Sequence, residues 1–161
     1  MAVWIDPVFD RTEDDVETAK EQIQKWIDEF LTGNPVETYE LKGCLNLSDI
    51  NRIEGNIQYL SDKLEALYYT PGTSSKKWNK SDLPTESDIR RILNNVRLII
   101  NSYYQREEVT PLSDDMTNYS EINAIEENLY NIKILLDSMI DSFPKSGVLQ
   151  VGGMKILPLR R

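Results

Sequence analysis

The chain has no histidine and a single cysteine, Cys44, in 161 residues. The first absence removes the commonest general base at neutral pH and the commonest zinc ligand. The second excludes an intrachain disulfide framework. Seven glycines and seven prolines are too few for a collagen-like chain or a linker. Positive charge is also scarce: 18 Lys and Arg stand against 27 Asp and Glu, a formal net charge of −9. Nucleic acids and anionic membranes are held by neutralising phosphates with Lys and Arg, so neither is an expected partner. No apolar run approaches the roughly 20 residues of a membrane span. The segment Met1 to Pro7 lacks the basic and apolar regions of a secretory signal. P-loop, GxGxxG, GxSxG and HExxH patterns are missing too. What remains, 40% hydrophobic and 28% charged residues, suits a soluble helical chain made in a cytoplasm.

What is present is a repeat. Thr12-Glu13-Asp14-Asp15-Val16 returns as Thr85-Glu86-Ser87-Asp88-Ile89, 73 residues later. Ala19, Ile23, Trp26, Ile27 and Phe30 map onto Ile92, Val96, Ile99, Ile100 and Tyr103 at the same offset. A second block, 46–56, returns at 118–128 with seven of eleven residues identical. Its apolar series continues through Ile57, Leu60, Leu64 and Leu67, facing Leu129, Ile132, Leu136 and Met139. Steps of three and four paint one face of an α-helix. Thr12 with Asp15 and Thr85 with Asp88 have capping-box spacing, and Asn46 with Asp49 and Asn118 with Glu121 allow the same. Gly33 and Pro35 stop the first helix, and Pro71-Gly72 the second. The pattern predicts helices near 12–31, 46–69, 85–104 and 118–142, with connections longer than the usual helix–helix loop.

Each amphipathic pair needs cover for its apolar stripe. The expected fold class is therefore all-α: two tandem-duplicated helical hairpins forming an antiparallel four-helix bundle. The domain reading is an extended N-terminal arm (1–11), hairpin repeat 1 (12–69), a linker (70–84), hairpin repeat 2 (85–142) and a C-terminal tail (143–161). In the tail, two short apolar runs around Gly152-Gly153 read as a β-hairpin, and Val3-Trp4-Ile5 is a candidate third strand. A lone two-stranded hairpin is marginal in water. The apolar ends thus either pair over the bundle or reach a partner. The candidate partner-binding residues are Val3, Trp4, Ile5, Leu149, Val151, Met154, Ile156 and Leu157.

Several residues invite a sharper reading. Glu54 and Glu126 recur at the stripe edge, where a solvated or Arg-paired border residue is far commoner than a catalytic pair. A di-metal carboxylate bundle needs Glu-x-x-His, and histidine is absent. Asn51 and Asn123 suit either first-turn donors or contact with a partner or with the other hairpin. For Asn56 and Asn128 a polar contact within the bundle is expected. Cys44 has no base in view and reads as a structural thiol. The basic patch Lys76-Lys77-Trp78-Asn79-Lys80 is too short for nucleic acid and reads as a solvated linker with Trp78 tucked onto the bundle. Trp26 is expected in the core. No catalytic, cofactor-binding or metal-binding residue is assigned.

The opening Trp4-Ile5-Asp6-Pro7-Val8-Phe9-Asp10-Arg11-Thr12-Glu13-Asp14-Asp15-Val16, together with Lys42-Gly43-Cys44-Leu45-Asn46 through Leu60, resembles small virion structural proteins of tailed phages and prophages of Gram-positive bacteria. The resemblance covers about residues 4–64. It implies a non-enzymatic scaffold of a tail or baseplate, in multiple copies per particle, with other tail or baseplate proteins as partners. Such a protein is assembled in the host cytoplasm and located in the virion. The alternative is a free cytosolic four-helix binding or regulatory protein, whose acidic surface favours basic partners.

Overall fold

The computed structural model describes residues 2–103, 109–114 and 116–142, together with the backbone of 149–151 and 154–156. The fold is all-α, with four helices packed together: α1 (Glu13–Leu31), α2 (Leu47–Ala66), α3 (Glu86–Tyr103) and α4 (Tyr119–Ser142). Each begins where a capping pair stands. Asp15 and Thr12 exchange side-chain-to-backbone bonds of 2.8 and 3.3 Å, and Asp88 and Thr85 do so at 3.1 and 3.3 Å. Asp49 and Glu121 accept from the backbone N–H of Asn46 and Asn118. These bonds satisfy donors that the first turn leaves free.

The core lies among α2, α3 and α4, which pack pairwise. Ile53, Ile57, Leu60 and Leu64 of α2 meet Val96 and Ile99 of α3 and Ile125, Leu129 and Ile132 of α4, all fully buried. Burying one such side chain is worth about 1.5–3 kcal/mol.

The direction of these helices differs from the antiparallel expectation. Glu54 pairs with Arg91 near the starts of α2 and α3, and Tyr69 stacks on Tyr103 at their ends. Arg52 pairs with Glu126 near the starts of α2 and α4, and the Tyr103 hydroxyl reaches Met139 near the ends of α3 and α4. The three core helices therefore run parallel, and the repeated unit is not a hairpin. The long connections account for this. A helix of 18 residues is about 27 Å long, and 14 or so extended residues span that distance easily. The connection after α2 returns along the bundle as a strap before α3 starts, and the described part of the connection after α3, residues 109–114, lies against α3 and α4. The N-terminal arm is a further strap: its Ala2 meets Asp62 and its Ile5 meets Asn56 on α2, and farther along its Arg11 meets Asn123 on α4.

The C-terminal half of α1 also departs from expectation. Ile23, Ile27, Phe30 and Leu31 are exposed, and Trp26 is half-buried rather than in the core. Only the beginning of α1 is seated. Ala19 is buried, and the backbone of Asp15 and Val16 lies directly against Gly43. The segment 35–42 then runs back along α1, with Tyr39 edge-on to Trp26 at 5.1 Å.

Helices α1 and α2 end by one hydrogen-bond pattern with different residues. After α1, Gly33 (φ +78°) and Asn34 bond back to Phe30 and Glu29. After α2, Tyr68 (φ 66°) and Tyr69 bond back to Glu65 and Leu64, so α2 stops before Pro71-Gly72 is reached. Left-handed backbone costs a residue with a Cβ about 1–2 kcal/mol. Tyr68 is almost fully exposed, so its ring contributes little in return. Tyr68→Gly is expected to raise stability by about 1 kcal/mol, read as a higher urea midpoint at unchanged slope.

The backbone at Leu149–Val151 and Met154–Ile156 runs as two short strands, antiparallel, with Val151 opposite Met154. Their side chains, Gly152-Gly153 and Leu157 lie outside the described residues.

Candidate functional site

The polar residues shared by the two repeats meet at one kind of place, the seams where straps lie against helices. An extended strap outside a sheet has N–H and C=O groups without ladder partners. A primary amide presents one donor edge and one acceptor, the same pair that a neighbouring strand would offer. Asparagines use this at five positions. Asn56 accepts from Ile5 N (3.0 Å) and donates to Ile5 O (2.8 Å). Asn51 does the same with Trp78, Asn123 with Arg11, Asn95 with Ser74 and Asn128 with Thr110. Asn51 and Asn123 therefore hold other segments of the chain and do not serve the first helical turn.

Between the asparagines of each repeat stands a glutamate. Glu54 is 2% exposed and Glu126 1%. Both are Arg-paired, and neither is solvated. Glu126 Oε1 accepts from Arg52 Nη2 (2.7 Å) and from both terminal nitrogens of Arg11 (3.2 Å each). Its Oε2 accepts from Arg52 Nε (2.8 Å) and from Val8 N (2.8 Å). Asp49 completes the cluster, accepting from Arg11 at 2.9 Å and Arg52 at 2.6 Å. Two cations and two anions thus balance inside the protein. Glu54 holds Arg91, the Trp78 indole N–H (3.1 Å) and Lys76 N (3.3 Å). Trp78 is buried beneath Lys76, whose ammonium sits 3.7 Å from the ring centroid.

The glutamates repeat, but their cations do not. Arg52 becomes Ala124 in the second copy, and Arg91 corresponds to Thr18 in the first. A comparison of the two copies flags the carboxylates and conceals their partners. Arg11, at the end of a strap, carried no signal of burial.

Burial pushes the Asp49 carboxyl up, but hydrogen bonds from Asn46 and Arg52 and the charge of Arg11 outweigh it and hold the group below its ordinary 3.8. A carboxyl depressed in the fold adds stability that is complete above its unfolded value and lost as pH falls through its folded one. Asp49 is therefore expected to contribute to an acid limb below pH 3.8. Urea midpoints across that range check this, and Asp49→Asn should flatten the limb. Burial, then the Asp49 charge, push the Cys44 thiol up, away from reactive thiolate.

Every carboxylate oxygen of Glu54 and Glu126 already accepts from the chain. Among the described residues no group of three or more His, Cys, Asp or Glu could hold a metal ion. No described helix is long and apolar enough to cross a membrane. Of the candidate partner-binding residues, Val3 and Ile5 expose their side chains, while Trp4 turns inward onto Tyr59 at 5.6 Å. The side chains of Leu149, Val151, Met154 and Ile156, and the whole of Leu157, fall outside the described residues.

Among the described residues, one uncovered apolar feature is a face that periodicity assigns to the core. Ile23, Trp26, Ile27, Phe30, Leu31 and Val36 line a groove of about 450 Å³ between α1 and its return strap. No family model, curated protein or solved structure matches the chain.

Proposed function

We propose that this chain is a non-enzymatic structural adaptor of a phage tail, baseplate or related tail-like particle. It is present there in several copies and joins other tail or baseplate proteins through apolar surfaces. The observation that carries the reading is the α1 face, where Ile27 is 45%, Phe30 73% and Leu31 75% exposed. A contiguous apolar surface on a soluble domain marks an interaction site. The clasps support the reading from the other side, since they spend the buried charges on holding straps. The apolar tail 148–161, read as a β-hairpin, is a second attachment point. The specific context comes from the resemblance of residues 4–64 to virion structural proteins.

Sedimentation of particles from a producing strain tests the proposal. The chain is expected in the particle fraction, and deletion of 148–161 should lower its incorporation by roughly tenfold or more, as loss of an apolar anchor does. A chain found only in the soluble fraction would sink the adaptor reading and favour a free cytosolic binding protein.

A further inference from the structure

The repeat supplies a template for what covers α1. At an offset of 73, Ile23, Trp26, Ile27 and Phe30 correspond to Val96, Ile99, Ile100 and Tyr103. On α3 these positions are packed, with Val96 and Ile99 fully buried. What covers them is two parallel helices, α2 and α4. The strap that follows α3 lies alongside, with Arg97 bonded to Ser113 O at 2.8 Å and Thr110 clasped by Asn128. Helix α1 has the same stripe and its own return strap, but among the described residues no second or third helix covers its distal half.

Charge does not oppose filling the gap with copies of α1. At 100° per residue, Asp14, Glu17, Glu21, Asp28 and Glu29 all stand about 120° or more around the helix from Ile23. Along the distal half Lys20 is the one charge on a flank of the stripe; Glu13 and Asp15 flank it only in the first turn, where Asp15 is already held by Thr12 and Lys42.

We propose that three copies of this chain join through the distal face of α1. The three α1 helices run parallel, with segments 35–42 in the grooves between them, as α2, α3 and α4 and their straps are arranged within one chain. Each α1 then covers the stripes of two others, so the set closes with threefold symmetry. This goes beyond the adaptor reading: it gives the α1 face to other copies of the chain and leaves the tail 148–161 for the other proteins of the particle. A monomer that enters particles would defeat only the trimer, and a trimer absent from particles would defeat only the adaptor.

The test is the mass of the full chain in solution. Equilibrium sedimentation should give three times 18.6 kDa. Ile27→Asp with Phe30→Asp should weaken association by on the order of a hundredfold, because both sit centrally in the seam. Both side chains are exposed in the single chain, so helix content and thermal midpoint of the separated copies should be unchanged. Leu31→Cys on a Cys44→Ser background reads direction: parallel helices bring the three thiols together, and oxidation should link copies covalently. A monomer, a dimer, an assembly indifferent to the double substitution, or thiols that fail to cross-link would each overturn the proposal.

Discussion

Replacing Glu126 with alanine should cost about 3–5 kcal/mol, the usual penalty for stranding buried charge. Against the roughly 5–15 kcal/mol that holds a domain of this kind together, that is enough to leave the variant near its unfolding transition. The loss is not a matter of five broken hydrogen bonds alone. Without Glu126, two buried guanidiniums share one carboxylate, Asp49, and Val8 N has no acceptor. The sign of the effect is checked by a second substitution. Removing Arg52 as well leaves Arg11 with Asp49, one cation with one anion. Arg52→Met with Glu126→Met should therefore be more stable than Glu126→Met by itself. Chemical denaturation of the two variants decides the point. If the double variant is the weaker, the penalty comes from lost packing and not from uncompensated charge.

Gly43→Ala is the second large effect, and its cause is backbone contact. A Cβ at Gly43 would stand 2.0 Å from the carbonyl oxygen of Asp15 and 2.7 Å from the Cα of Val16. Neither atom can swing aside as a side-chain tip does. The start of α1 must leave its seat, breaking the bridges from Lys42 to Asp10 and Asp15. Overpacking of this kind costs about 1–3 kcal/mol or more. The change should be local. A helix of 19 residues without tertiary support is marginal in water. Up to roughly a quarter of the helical circular-dichroism signal, α1's share, is expected to go. The α2–α4 core should still unfold cooperatively. Limited proteolysis within 12–42 checks this: unchanged resistance would show that the loop tolerates the methyl group.

The helices were legible in the sequence because local physics writes them locally. A capping pair fixes each start and a stripe of period 3.6 fixes each length, and the observed bounds follow within a few residues. The exception is the end of α2, where Tyr68 takes a backbone conformation that favours glycine and so gives no warning. Helix direction was not legible, because a stripe looks the same from either end. The informative signal was the length of the connections, which suits a return path better than a turn. Its companion was the recurrence of Asn51, Glu54 and Asn56 as Asn123, Glu126 and Asn128. Polar groups at matching places in a duplicated chain serve a matching task, here the clasping of straps. The error over Trp26 has a different origin. Periodicity reports which face of a helix is apolar, not whether the cover comes from the same chain.

The straps also decide how the molecule responds to pulling. The N-terminal arm runs along the bundle axis and is fastened in turn at Asp62, Asn56, Glu126 and Asn123. Tension along the axis loads all four fastenings in shear at once. Tension across it peels them one after another, beginning at the Ala2 end. A tether attached there would be strong in one direction and weak in the other.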